Sequence, residues 1–423
     1  MINFDVVKII KSPIYWYLAI SSLVFLVLIS ATSAQDSSSN DFITNHWQRP
    51  LQHQGEPPGT FSELETSLDP KACGSCHPLQ FQDWQNSLHA HAMGPGILGQ
   101  LMDMDSTNKA GLQSCLSCHA PLAEQTDELI AWLSNEETDT ENLTENIVPI
   151  GSIFNQGLIC AGCHMRNYQL YGPPSSEEKT NSTPEKESTH KPHNGWQVES
   201  SFENSKFCAA CHQFEDDGYT LNGKLIENTF NEWRVSPQAK AGKTCQSCHM
   251  PGRRHLWLGI HDKATTLSGV KIGLHKVITS SKSISGILTM TNTKVGHQFP
   301  TYVTPRVIMS AHQQDEKKQQ LPGTQQEVVV ARQVSLDLSE ELFDTRLAPG
   351  QTARLRYEAF LHPRAKSLLF QIQVEPDYFY ANFYRKTLAS YPNLKGIEKL
   401  QEALRNAEAS NYILFISEIA IDN

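Results

Sequence analysis

The pattern of apolar and polar residues changes about three fifths of the way along the chain. Up to about residue 262, glycine, proline and asparagine are frequent and the apolar runs are short, which predicts short helices joined by loops. The best amphipathic helix is Leu122–Asn135, where Leu122, Leu129, Ile130 and Leu133 recur at helical intervals. We therefore expect a mainly helical or irregular first region.

Beyond Lys263, alternating segments predict β-strands separated by proline and glycine turns. The predicted strands are Ile284–Asn292, Val303–Ala311, Glu327–Leu336, Thr352–Phe360, Ser367–Val374 and, after a helix over Leu394–Ala409, Tyr412–Ile419. Several short strands at this spacing are typical of a β-sandwich.

The two patterns together predict an α+β fold with four segments. Residues 1–34 are a signal peptide or an N-terminal membrane anchor, and residues 35–45 are a linker. Residues 46–265 form the mainly helical or irregular domain, and residues 266–423 form a β-sandwich-like C-terminal domain. Within the first domain, Gly172–Lys191 is rich in Pro, Ser, Glu, Lys and Thr, which predicts a solvated, mobile loop.

The N-terminus reads as an export signal. Lys8 and Lys11 precede an apolar run over Ile14–Ile29, and small residues follow up to Ala34. Cleavage after Ala34 leaves a soluble protein, whereas an uncleaved segment, residues 14–31, associates the protein with the membrane. In either case the basic flank stays inside and the body is exported, so a Gram-negative periplasm is the predicted location.

The charge balance points away from nucleic acid as a partner. The 423 residues include 45 acidic and 35 basic side chains, for a formal net charge of -10. Phosphate backbones repel such a surface. An acidic surface is compatible with docking to basic patches on other redox proteins.

One short string occurs five times and uses all ten cysteines of the chain. Cys-x-x-Cys-His is found at Cys73–His77, Cys115–His119, Cys160–His164, Cys208–His212 and Cys245–His249. This is the spacing of c-type haem attachment, in which both thiols add to the porphyrin vinyl groups and the adjacent histidine binds the iron. A zinc site, a redox dithiol or a disulfide does not explain a histidine after the second cysteine five times out of five.

The strings therefore predict five covalently bound haem c groups. The attachment residues are Cys73, Cys76, Cys115, Cys118, Cys160, Cys163, Cys208, Cys211, Cys245 and Cys248, and the proximal ligands are His77, His119, His164, His212 and His249. If every iron takes two imidazoles, five more histidines are needed. The candidates for distal ligands are His89, His193, His255, His261 and His297.

Further strings resemble known proteins. Trp84-x-x-Ser87-x-His89, Cys208-Ala-Ala-Cys211-His212-Gln213-Phe214 and Cys245-x-x-Cys248-His249-Met250-Pro251, followed by His255 and His261, resemble the multihaem cytochrome c superfamily and within it the cytochrome c-552/4 family. The resemblance covers most of residues 46–311. It implies closely spaced, stacked haems that pass electrons, and it supports the five distal candidates without giving their pairing.

Two functions remain open at this point. If all five irons have two imidazoles, no coordination position is open, which favours a carrier that relays electrons between a quinol-linked donor and terminal acceptor cytochromes rather than an enzyme. The alternative is an oxidoreductase acting at one five-coordinate haem on a small nitrogen or sulfur compound, such as nitrite, hydroxylamine or tetrathionate. For that enzyme, His91, Tyr219 and the Arg253-Arg254 pair are the residues to inspect, although the arginines more simply balance haem propionates.

Overall fold

The computed structural model describes residues 39–105, 107–138, 148–149, 151–174 and 192–421. The predicted signal or anchor, the first part of the linker and residues 175–191 of the predicted loop lie outside these ranges. Within them, no helix is both long enough and apolar enough to cross a membrane.

Short helices dominate the first region. Residues 39–46 form α1. The others are α2 (Glu63–Thr66), α3 (Pro70–Cys76), α4 (Pro78–Gln85), α5 (Pro95–Leu101), α6 (Lys109–His119), α7 (Ala123–Thr138), α8 (Cys160–His164), α9 (Lys206–His212), α10 (Thr229–Arg234), α11 (Pro237–Lys240), α12 (Cys245–His249) and α13 (Lys263–Gly269). The predicted helix over Leu122–Asn135 is confirmed as α7.

Each Cys-x-x-Cys-His string is a helical turn. Four strings end a helix at their histidine, in α6, α8, α9 and α12, and in the first string His77 directly follows α3. Because residues three apart lie on the same face of a helix, the two thiols of a string point the same way. The local fold therefore presents each cysteine pair and its histidine to one side.

Among the described residues, five small strands accompany these helices, and eight later strands form the second region. The small ones are β1 (Met165–Arg166), β2 (Gln169–Gly172), β3 (Gln197–Val198), β4 (Thr220–Leu221) and β5 (Lys224–Leu225), where β4 and β5 make a hairpin. The later ones are β6 (Val270–Thr279), β7 (Ser283–Asn292), β8 (Arg306–Gln314), β9 (Gln326–Val334), β10 (Glu341–Asp344), β11 (Thr352–Phe360), β12 (Ser367–Glu375) and β13 (Tyr412–Ala420), with α14 (Tyr378–Ser390) and α15 (Ile397–Ala409) between the last two strands.

Two antiparallel sheets share one core in the second region. The first has the strand order β10-β9-β8-β12-β13, and the second has β11-β7-β6. Alternate residues of β7, among them Ile284 and Leu288, pack in one cluster with Met309 of β8 and Phe370 of β12. The α+β fold, with a helical N-terminal region and a sheet-rich C-terminal region, is confirmed.

Three elements of the second region were not predicted. Strand β6 has mostly half-buried or exposed residues, and a bulge near Lys276 interrupts its pairing with β7, so its apolar periodicity is weak. Strand β10 has only four residues. Helix α14 has five aromatic residues in its first seven positions. Aromatic residues are enriched in strands, so the sequence does not indicate a helix here.

Buried charges join the two regions. The Arg332 side chain of β9, 1% exposed, donates to the main-chain oxygens of Leu221, Lys224 and Leu225 in the β4–β5 hairpin and to Glu341. Helix α13 spans the predicted boundary at residue 265. The division into two domains at residue 265 stays a prediction.

Candidate functional site

The five strings lie against one another through their cysteines. All ten thiols are free of disulfides. The thiols of Cys73 and Cys160, of Cys118 and Cys211, and of Cys208 and Cys245 lie close enough to shift each other's pKa. The first string therefore contacts the third, the second contacts the fourth, and the fourth contacts the fifth. Cys163 lies close enough to Cys208 and Cys211 to affect their pKa values, which brings the third string beside the fourth.

The string histidines are oriented through Nδ1. In three of them Nδ1 meets a main-chain oxygen: His119 with Ala92 at 2.6 Å, His164 with Tyr171 at 2.9 Å, and His249 with Leu258 at 2.8 Å. A carbonyl accepts, so the proton of the neutral ring is on Nδ1 and Nε2 is left free to bind a metal. His212 differs, because its Nδ1 lies 2.5 Å from the Tyr302 hydroxyl.

Three of the distal candidates face a string histidine. The ring centroids of His89 and His212 are 6.2 Å apart, those of His164 and His255 are 6.1 Å apart, and those of His249 and His297 are 6.4 Å apart. An imidazole nitrogen binds a metal at about 2 Å and the ring centre lies about 1 Å beyond, so two rings on opposite sides of one iron have centres about 6 Å apart. The three spacings fit that arrangement.

Burial keeps these rings neutral, which is the form that binds a metal. Burial is the largest cause of the lowered pKa of each ring. It lowers the pKa of His89 from 6.5 to about 3 and lowers the pKa of His212, His255 and His297 to about 4. It also lowers the pKa of His164.

The remaining two distal candidates have different surroundings. Burial lowers the pKa of His193, the charge of Glu65 opposes this shift, and the charge of His77 adds to it. The main-chain nitrogen of His193 donates to Glu65. His261 instead makes a 3.0 Å contact through Nε2 with Asp377, at the start of α14. Among the described residues, no second histidine ring is found stacked or tilted against His119.

Several side chains around the strings were missed by sequence reasoning. Arg49 lies 3.2 Å from the Cys118 sulfur and 2.9 Å from the Cys211 sulfur, so it bridges the second and fourth strings. His46 is buried and bonds to the main-chain oxygen of Cys163. His46 lies in α1 and Arg49 in the turn after it, far from the strings in sequence. No local pattern therefore indicates that either residue contacts them.

A second missed group surrounds His212. The Tyr302 hydroxyl that contacts this imidazole also bonds to the Glu227 carboxyl. Burial raises the pKa of Glu227 to about 8, against the opposing effect of the hydrogen bond from Tyr302. Tyr302 follows the Gly296–Thr301 string, so the only available signal was its nearness to His297 in sequence.

The residues singled out for an enzyme do not converge. The Arg254 guanidinium forms a paired contact with Asp83, at 2.6 and 2.5 Å, and Arg253 bonds to Glu203 and to Pro174. The Tyr219 hydroxyl donates to the main-chain oxygen of Leu338. His91 is exposed.

The residues fit a haem c at each string. The thiol pair and histidine lie on one helical turn, the rings are neutral, and Nδ1 of His89 is buried without a hydrogen-bond partner among the described residues. In the same part of the chain, no cluster of three or more His, Cys, Asp or Glu residues could hold a bare metal ion.

Two comparisons with known proteins find a similarity to cytochromes. The family model for cytochrome c554 and c-prime matches residues 72–142. Among solved structures, the crystal structure of a penta-heme cytochrome c552 from Thermochromatium tepidum matches with a TM-score of 0.55 at 17% identity, covering 85% of this chain and 100% of its own. A search of curated protein sequences finds no match.

In its strings and its fold, the chain is similar to multihaem c-type cytochromes. The predicted resemblance to the multihaem cytochrome c superfamily is confirmed, in sequence over residues 72–142 and in fold over most of the chain. The family match over residues 72–142 supports haem c as the cofactor.

Proposed function

We propose that this protein is an exported pentahaem c-type cytochrome that relays electrons between other redox proteins. The ten string cysteines hold five haem c groups, and the five string histidines are their proximal ligands. Each haem supplies an iron that alternates between the ferric and ferrous states. The chain holds these groups, sets their axial ligands and excludes water from them.

The contacts between strings carry the proposal. The cysteine pairs Cys73–Cys160, Cys118–Cys211 and Cys208–Cys245, with Cys163 beside the fourth string, connect all five strings without a gap. A haem bonded to each cysteine pair would lie beside the haem of the neighbouring string. The connections give the order first, third, fourth and fifth, with the second joined to the fourth.

The proposed ligand pairs follow from the ring positions. His255 is the distal ligand opposite His164, His89 is opposite His212, and His297 is opposite His249, each supported by a centroid spacing of 6.1 to 6.4 Å. His193 is proposed as the distal ligand opposite His77, on their electrostatic interaction. Two imidazoles per iron favour lower reduction potentials than a histidine and a methionine do.

The haem count and the ligands are tested together on the purified holoprotein. The intact mass of the denatured protein, compared with the mass of the polypeptide, gives the number of covalent haems, and EPR of the oxidised protein gives the spin state of each iron. Five haems with at least four low-spin signals are expected. Fewer than five covalent haems, or high-spin signals from several of them, would overturn the proposal.

One observation favours a second candidate function, an oxidoreductase acting at the second haem. His119 has no histidine ring against it in the described ranges, and His261, the remaining distal candidate, is bonded to Asp377. An iron without a second protein ligand binds small molecules. Under this candidate, the haem attached to Cys115 and Cys118 reduces or oxidises a small nitrogen or sulfur compound, such as nitrite, hydroxylamine or tetrathionate.

Ligand addition separates the two candidates. Nitrite, hydroxylamine or sulfite is added to the oxidised protein while EPR is recorded. The relay predicts that these compounds are not turned over, whatever the spin state of the second haem. A high-spin ferric signal that shifts with one of them, together with steady turnover, establishes the enzyme.

Export and partners complete the proposal. Haems are attached to this string in the periplasm, in which the protein is either released after cleavage at Ala34 or anchored by residues 14–31. Its partners are a quinol-linked donor and a terminal acceptor cytochrome. Mass spectrometry of the N-terminus of protein purified from the periplasmic and membrane fractions decides between cleavage and anchoring.

A further inference from the structure

The hydrogen bond to Nδ1 of the fourth string histidine is unlike that of its neighbours. His119, His164 and His249 each meet a main-chain carbonyl, whereas His212 meets the Tyr302 hydroxyl at 2.5 Å. A carbonyl can only accept, but a phenol can both donate and accept. The environment of the phenol therefore decides the tautomer of the imidazole.

The surroundings of Tyr302 make it an acceptor toward His212. Its hydroxyl also bonds to the Glu227 carboxyl, and a phenol has only one hydrogen to donate. When Nε2 of the neutral His212 ring binds a metal, the ring hydrogen is on Nδ1, so the phenol must accept it. With its own hydrogen directed at Glu227, the phenol oxygen has lone pairs left for Nδ1–H of His212. The Thr229 hydroxyl, 2.7 Å from the Thr301 hydroxyl, lies beside this pair.

The backbone at Tyr302 is held in an unfavourable conformation. Its φ is 63°, in the left-handed region that a bulky side chain rarely occupies. Such conformations are kept where the surrounding structure fixes them and are concentrated at functional sites. Tyr302 lies in the loop before β8, five residues after His297. This loop of the second region therefore supplies both the ring that faces His249 and the hydrogen-bond partner of His212.

We propose that Tyr302 is a positioning residue that gives the haem of the fourth string a reduction potential distinct from the other four. The proposal rests on the haem assignment above. Acceptance of the Nδ1 hydrogen by a phenol that is itself bonded to a carboxyl increases electron donation from the imidazole to the iron. That donation stabilises the ferric state. The fourth string contacts both the second and the fifth, so its potential controls how electrons divide between the two branches.

Redox titration of the purified holoprotein, followed by optical and EPR spectroscopy, tests this inference. Tyr302→Phe removes the acceptor, so one of the five couples is expected to move to a more positive potential while the other four stay in place. One low-spin EPR signal changes with it. Glu227→Gln is expected to move the same couple in the same direction by a smaller amount.

Tyr357→Phe is the matched control. The Tyr357 hydroxyl is also buried and donates to the main-chain oxygen of Thr324, but it lies in the core between the two sheets. Its loss is expected to leave all five couples unchanged.

The outcomes are distinguishable. If five haems are attached and neither Tyr302→Phe nor Glu227→Gln moves a couple, or if all five move together, the inference is wrong and the relay stands. If Tyr302→Phe fails to accumulate, the Glu227→Gln result alone decides. If the wild-type protein lacks a haem at Cys208 and Cys211, it is the haem assignment that fails.

Discussion

The imidazole rings of His249 and His297 face each other with their centroids 6.4 Å apart and their planes within 14°. The two residues come from different regions, since His249 ends α12 and His297 lies in the loop after β7. Nδ1 of His297 contacts the main-chain oxygen of Gln298 at 2.8 Å, which leaves Nε2 directed away from its own loop. In our account, one haem joins the helical region to the sheets.

Removal of the His297 ring is expected to open one iron. His297→Ala should convert one low-spin ferric EPR signal to a high-spin signal and leave the number of haems unchanged, since the thioether bonds do not depend on the distal ligand. His312→Ala, a half-buried histidine of β8, is the control and should leave the EPR spectrum unchanged. A spectrum of His297→Ala identical to that of the wild-type protein would show that another residue binds the fifth haem.

Arg49 is expected to raise the potentials of two haems. Its guanidinium lies between the Cys118 and Cys211 sulfurs, at 3.2 and 2.9 Å, and a nearby positive charge favours the ferrous state. Arg49→Gln should shift the two corresponding couples to more negative potentials by about 1 kcal/mol, or roughly 40 mV for one electron. Redox titration checks this, with Arg49→Lys as the variant that keeps the charge. A positive shift, or a shift of all five couples, contradicts it.

The strings could be recognised from sequence, and their proximal histidines predicted, because haem c attachment requires residues that are close in the chain. The same reasoning could not pair His89 with His212, which are 123 positions apart, because pairing depends on how the helices pack. Arg49, Tyr302 and Glu227 were missed for the same reason. Most strands were found within a few residues, because alternation is a local property, whereas β6 was missed where a bulge weakens it.

Arg332 should contribute strongly to stability. Its side chain is 1% exposed and meets Glu341 at 2.9 Å in addition to three main-chain oxygens of the β4–β5 hairpin. Arg332→Met leaves three main-chain oxygens of the hairpin without this donor and removes one partner of the Glu341 carboxylate, which keeps Lys224 at 2.8 Å. The free energy of unfolding should therefore fall by about 3–5 kcal/mol in urea titrations. Arg385→Met, which breaks an exposed pair with Glu408, should cost about 0–1 kcal/mol. Equal losses in the two variants would argue against the buried network.

Burial of the His46 ring should make the free energy of unfolding fall at acid pH. Burial, with a contribution from Arg166, lowers its pKa from 6.5 to about 3 in the folded protein. Between these values the unfolded chain binds the proton that the folded chain excludes, so stability is complete above pH 6.5 and falls as the pH is lowered toward 3. Between pH 7 and pH 4, the unfolding free energy of the wild type should fall by about 1–3 kcal/mol more than that of His46→Gln.

Urea titrations followed by circular dichroism at pH 7 and pH 4 measure this difference. Glutamine keeps a donor for the Cys163 main-chain oxygen that His46 contacts at 2.8 Å, so the variant isolates the titration from the hydrogen bond. His53→Gln, which changes an exposed histidine paired with Asp127, is the control. Parallel pH profiles for the wild type and His46→Gln would show that His46 does not contribute to the acid sensitivity.

Reoxidation of the fully reduced holoprotein tests the central claim most directly. The reduced protein is mixed in a stopped-flow instrument either with an oxidised c-type cytochrome or with nitrite, hydroxylamine or tetrathionate, and haem absorption is followed. The relay predicts rapid loss of all five electrons to the cytochrome and no catalytic consumption of the small compounds. Steady turnover of one of these compounds, with slow transfer to the cytochrome, would contradict the relay and identify the protein as an enzyme acting at the haem of His119.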